Sequence, residues 1–176
     1  MPCVDAKIGG IELTPELVAR LETGITAVLQ KHIAPVFAHG LNFAEGSREF
    51  EVARTVAREI MPGWTWVGVG PQSWAVRGRR VGDEAIVARI HILVLAGALP
   101  LAARQEVSQA VAELATMILG QLGKQLHLFV DIIEGEVDMT LPVDLFGDLL
   151  HGATHRALKV EEIMKFFMNL VLRRLQ

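Results

Sequence analysis

Polar and apolar positions alternate from Pro2 to Ile8. Cys3, Asp5 and Lys7 fall on one face, Val4, Ala6 and Ile8 on the other, and period two predicts a strand. Gly9-Gly10 ends it. The chemistry of a helix start follows. Thr14 can accept from the first free N–H groups, Pro15 suits the first helical position, and Glu16 favours the positive helix end. Leu17, Val18, Leu21, Ile25, Val28 and Leu29 then draw one apolar stripe, predicting a helix from about Pro15 to His32. Gly24 in its middle costs roughly 1 kcal/mol against Ala. A close approach to the sheet is the expected reason for it.

The pattern recurs 84 to 85 residues later. Ile86 to Leu95 reads as a strand with Arg89 and His91 on one face and Ala88, Ile90 and Ile92 on the other. Leu99-Pro100-Leu101 opens a helix with the stripe Val107, Ala110, Val111, Leu114, Met117 and Ile118. Each helix is followed by a β-rich run, Trp64 to Val69 in the first copy and Leu126 to Ile133 in the second. Two β-α-β units result, the natural way to join parallel strands.

The expected fold class is therefore α+β. Two tandem β-α-β repeats form a four-stranded sheet with two helices on one face, plus a helical insert and a C-terminal helix. A two-repeat domain spans 1–145, with repeat one at 2–80, an insert at 35–62 and repeat two at 86–145. A helical extension spans 146–176. Phe50, Ala53, Val56, Ala57 and Ile60 predict one short helix in the insert, capped by Ser47, and 71–80 reads as a turn or hairpin. Val160, Ile163, Met164, Phe167, Met168, Val171 and Leu175 mark the last helix, which packs on the body or on a neighbouring subunit. The strand faces bearing Cys3, Asp5, Lys7, Val87, Arg89, His91 and Leu93 are mixed. A sheet with helices on one side leaves its other side to a partner or to water, so an oligomer is expected.

Composition narrows the class. The 176 residues are 51% hydrophobic and 21% charged, with 17 Lys+Arg against 20 Asp+Glu, a net charge of −3. This excludes disorder and argues against general nucleic-acid binding, which needs a basic face. The longest apolar run, Ile92 to Ala103, is too short to span a bilayer. One cysteine, Cys3, excludes an internal disulfide framework. Asp5, Lys7 and Glu12 in the first twelve residues do not read as a signal peptide. The expected compartment is the cytoplasm.

Candidate chemistry starts at Pro2. Removal of the initiator Met would leave a free secondary amine at the head of a strand, able to take a proton as a general base. Burial and nearby cations disfavour its charged form, which would suit it to work near neutral pH. Arg77, Arg79 and Arg80 form a cationic cluster beside Trp74. They could hold a carboxylate, or form an ordinary solvated turn. Asp131 and Glu134 close the fourth strand as candidate activators of water, or as ordinary exposed acids. Arg89, His91 and Lys7 read as a structural lining that pairs with Asp5. His32 reads as a helix-end cation. Asp144, Asp148, His151 and His155 have spacings suggestive of a metal site but lack a confirming ligand pattern, so no metal is expected.

This combination resembles the tautomerase superfamily. The resemblance covers about 145 residues and rests on Pro2, the two β-α-β copies, Glu12-Leu13-Thr14-Pro15 running into Ile25-Thr26-Ala27, and Ala88-Arg89-Ile90-His91-Ile92-Leu93. The last stretch is similar to the first strand of 4-oxalocrotonate tautomerase. The helix start is similar to the cis-3-chloroacrylic acid dehalogenase group. The resemblance implies a homotrimer with pockets at subunit boundaries around Pro2, and no cofactor. It implies proton transfer on a small enol or 2-oxo acid, with Pro2 catalytic. Arg77 or Arg80 is expected to hold the substrate carboxylate, and Trp74 and Glu134 are the further substrate-binding candidates. Ile86, being internal, cannot serve as a second proline, so one site per chain is expected. The family's dehalogenase histidine corresponds to Leu29, its strand arginine to Trp66 and its pocket phenylalanine to Trp74. The rival readings are a hydratase, dehalogenase or decarboxylase of the same superfamily, or a non-catalytic oligomeric binding protein.

Overall fold

The computed structural model describes residues 2–60, 64–70, 74–76, 79–81, 84–135 and 160–176. In chain order these are β1 (Cys3–Gly9), α1 (Pro15–His32), α2 (Ala34–Gly40), α3 (Arg48–Ile60), β2 (Trp64–Val69), β3 (Trp74–Val76), β4 (Arg79–Val81), β5 (Ala85–Leu95), α4 (Leu101–Leu119), β6 (Gln125–Gly135) and α5 (Val160–Leu175). The fold is α+β, with one mixed four-stranded sheet in the order β2-β1-β5-β6. β1 runs parallel to β2, and β5 parallel to β6. The two central strands are antiparallel, with Asp5 opposite His91 and Cys3 opposite Leu93. β3 and β4 form a separate antiparallel pair.

The strand alternation sets the layers. Val4, Ala6, Ile8, Ala88, Ile90, Ile92 and Val94 are buried in one core together with the helix stripes. Leu17, Leu21, Ile25 and Leu29, four residues apart, put the buried face of α1 into that core. Thr14 Oγ1 caps α1 by accepting from Leu17 N at 3.2 Å, as its sequence predicts. α1 packs on α4 and β2, and α4 on β6.

Gly24 has a different cause from the one expected. A Cβ there would lie 2.8 Å from Leu114 Cδ2, so the glycine admits the neighbouring helix α4, not the sheet. The insert also differs from the single helix expected. It carries two, α2 and α3, because Pro35 starts a seven-residue helix too short to show a stripe. Ser47 Oγ accepts from Phe50 N at 3.1 Å, the anticipated cap of α3.

α5 packs on α3 and the insert. Phe167 and Val171 are fully buried. Phe167 meets Phe37 edge to face at a centroid distance of 6.2 Å. Arg174 donates to Glu59 Oε1 at 2.7 Å. That hydrogen bond and its charge raise the guanidinium pKa above its ordinary value.

The opposite sheet face carries Asp5 and Lys7, 3.4 Å apart, and His91 with Asp131, whose Nε2 and Oδ2 are 3.5 Å apart but not aligned for a hydrogen bond. The expected Lys7 to Asp5 pairing is present; His91 turns to Asp131. Trp66, Phe129 and Ile133 are exposed. Val87, expected on this mixed face, is buried.

Candidate functional site

Pro2 is buried immediately before β1. By alternation it falls in the series of Val4, Ala6 and Ile8, which faces the helices. It lines a cleft whose floor is the end of β5, at Val94 and Leu95. The turn into α4 adds Ala98 and Leu99. The junction of α1 and α2 adds Ile33 and Phe37, and the first turn of α5 adds Val160 and Ile163. Every described wall residue is apolar. The space within this partly open cleft is about 20 Å³, room for roughly one water molecule.

Glu134 stands at the same end of the sheet. It is in register with Val94, which neighbours the Pro2 end of β1. Two strand spacings separate it from the β1 line, about 10 Å. Its carboxylate is already engaged. Gly97 N donates to Oε1 at 3.2 Å, and Arg104 donates through Nη1 to Oε2 at 2.8 Å. The pair pins the turn from Ala96 to Leu99 that walls the cleft. Both side chains are about 30% exposed, so the pair lends geometry more than stability. Arg104 Nε is buried with no hydrogen-bond partner among the described residues.

The other expected residues lie elsewhere. The Trp74 ring packs against Gly70, beside the backbone of Ile8 and Gly9. That is the far end of β1 from Pro2, about 20 Å along the strand. Arg80 is placed by its backbone opposite Ala75 in the β3–β4 pair, and so belongs to the same distant hairpin. Arg77 lies outside the described residues, as do Asp144, Asp148, His151 and His155. Within one chain, Pro2 and Glu134 share an end of the sheet, while Trp74 and Arg80 do not join them. Among the described residues no group of His, Cys, Asp or Glu is arranged to hold a metal ion. No described helix is long and apolar enough to cross a membrane.

The chain matches no family model, no curated protein and no solved structure.

Sequence reasoning missed Phe37, Ile163 and Arg104. Phe37 and Ile163 come from segments more than 120 residues apart in the chain, and local periodicity carries no information about that meeting. Arg104 did leave a signal. A cation in the first turn of a helix opposes the helix dipole, so it calls for a carboxylate partner, here Glu134.

Proposed function

We propose that the chain is a cofactor-free tautomerase or isomerase of the tautomerase type, with Pro2 as the proton carrier. The observation that supports this best is Pro2 itself, buried at the head of β1 in an apolar cleft. With Met1 removed, its nitrogen would be a secondary amine. It would take a proton from the carbon beside a carbonyl of a small enol or 2-oxo acid. The C–H electron pair would pass into the enolate, and the ammonium so formed would return the proton to carbon or oxygen. The sheet, with two parallel pairs meeting antiparallel at β1 and β5, is compatible with two β-α-β repeats and so supports the same reading.

A homotrimer belongs to this proposal. Among the described residues the cleft has no cation in its walls, and the arginine-bearing hairpin lies at the opposite end of its own sheet. In a trimer a neighbouring chain would bring a cation to a carboxylate at Pro2. Trp66, Phe129 and Ile133 on the open face supply apolar surface of the kind that subunits cover. A cytoplasmic enzyme acting on a small carboxylate, without nucleic acid or membrane, completes the reading. The hydrolytic alternative is weaker, because Glu134 already accepts from Gly97 and Arg104 and is not free to activate water.

The test is exchange of the carbon-3 hydrogens of pyruvate in heavy water, followed by proton NMR. Wild-type protein should accelerate exchange. A non-removable residue before Pro2 turns its nitrogen into an amide and should abolish the acceleration. Equal exchange with and without that block would remove Pro2 from the chemistry.

A further inference from the structure

We propose that the Gly97 N–H and the Arg104 guanidinium form a binding site for a small free carboxylate, and that Glu134 occupies it as a self-ligand until such an anion displaces it. The inference rests on the Pro2 reading only for the class of anion, a small 2-oxo acid. The site is visible because a carboxylate already sits in it. One oxygen of Glu134, Oε1, accepts from Gly97 N at 3.2 Å, and the other, Oε2, accepts from Arg104 Nη1 at 2.8 Å. Each oxygen has its own donor and one donor is charged, a pattern that holds carboxylates firmly. Gly97 offers its N–H from a left-handed turn at φ +75°, which glycine adopts without steric cost.

Stability alone gives little reason for this arrangement. Arg104 lies in the first turn of α4, where a cation opposes the helix dipole. Its Nε has no hydrogen-bond partner among the described residues, and a buried N–H left unpaired is costly. The pair with Glu134 is partly exposed and returns little. A guanidinium with an unused donor has capacity for a further acceptor oxygen. Gly97 is exposed, so an anion can reach the site from solvent. The position also connects it with the proposed chemistry. Glu134 is in register with Val94, and Val94 lines the Pro2 cleft together with Ala98 and Leu99, which follow Gly97 in the chain. The carboxylate site and the cleft therefore share one turn.

The experiment follows the Gly97 amide of the full chain by NMR during titration with acetate and with pyruvate, with chloride at matched ionic strength as the control. Both carboxylates should shift the Gly97 resonance saturably, and chloride should not. Glu134→Ala removes the competing self-ligand and should tighten both carboxylates about fivefold. Its Gly97 amide should exchange faster with solvent, and acetate should slow that exchange back toward the wild-type rate. Arg104→Met should abolish the saturable shift, with circular dichroism confirming that it is folded; if it does not fold, Glu134→Ala decides the matter by itself. Glu59→Ala releases Arg174 from the same kind of pair and removes the same charge. It should leave carboxylate affinity at Gly97 within about twofold. Affinity that Glu134→Ala lowers or leaves unchanged, or that survives Arg104→Met, overturns the inference, as does a chloride response equal to that of acetate. None of these readings needs turnover. A chain that holds pyruvate at Gly97 but shows no Pro2-dependent exchange overturns the proposed function instead, so the two failures are separate.

Discussion

Replacing Phe167 by Ala tests whether α5 is an integral wall of the molecule. Phe167 is 0% exposed and stands edge to face with Phe37 at an interplanar angle of 79°. Truncating a fully buried phenylalanine to alanine costs about 3–5 kcal/mol, combining lost transfer energy with the cavity left behind. The lost ring pair falls within that range, since such pairs contribute about 0.5–1.5 kcal/mol. At roughly 2–4 °C per kcal/mol for a chain of this length, Tm should fall on the order of 10 °C. The control is Leu172→Ala on the same helix, 47% exposed, which should stay within about 0.5 kcal/mol of wild type. Urea and thermal denaturation measure both. If Phe167→Ala cost no more than Leu172→Ala, α5 would not be docked as described. Its first turn could not then wall the Pro2 cleft.

Three further outcomes follow from the same geometry. Glu134→Gln keeps the shape of the β6 end but weakens its bonds to Gly97 and Arg104. The stability loss should be only about 0.5–1 kcal/mol, because the pair is partly exposed, yet amide exchange at Gly97 should quicken; unchanged exchange would mean that Glu134 does not hold the turn. Gly10→Ala should cost more than about 2 kcal/mol in a denaturant titration. Its φ is +83°, and the new Cβ would collide with the Ala85 carbonyl oxygen; a neutral result would contradict the β1–β5 packing at that end. Thr14→Ala removes the cap of α1 and should cost about 1 kcal/mol in the same titration. A cost near zero would show that the cap adds nothing.

How much the sequence could reveal depended on the range of the interaction. α1 and α4 were legible because their buried stripes repeat every three or four residues, and Thr14 and Ser47 because capping is local. α2 was not. Seven residues around Pro35 hold too little periodicity to separate from loop. The role of Gly24 was half legible, since a mid-helix glycine signals a close neighbour without saying which one, and the neighbour is Leu114 of α4. The stripe of α5 was visible, but its seat on Phe37 and α3 depends on contacts more than a hundred residues apart. For the site, the chemistry of Pro2 could be read from its position in the chain. The walls around it could not, because they are assembled from three separate segments. Trp74 was linked to Pro2 by resemblance and Arg80 by its charge beside Trp74, whereas the strand direction of β1 sets their hairpin at the other end of the sheet.

The most direct measurement is the mass of the first peptide released from the purified full chain. The account predicts a peptide that begins at Pro2 with an unmodified amine. A peptide that still carries Met1, or an acylated Pro2, would leave no basic nitrogen in the cleft and would contradict the proposed chemistry.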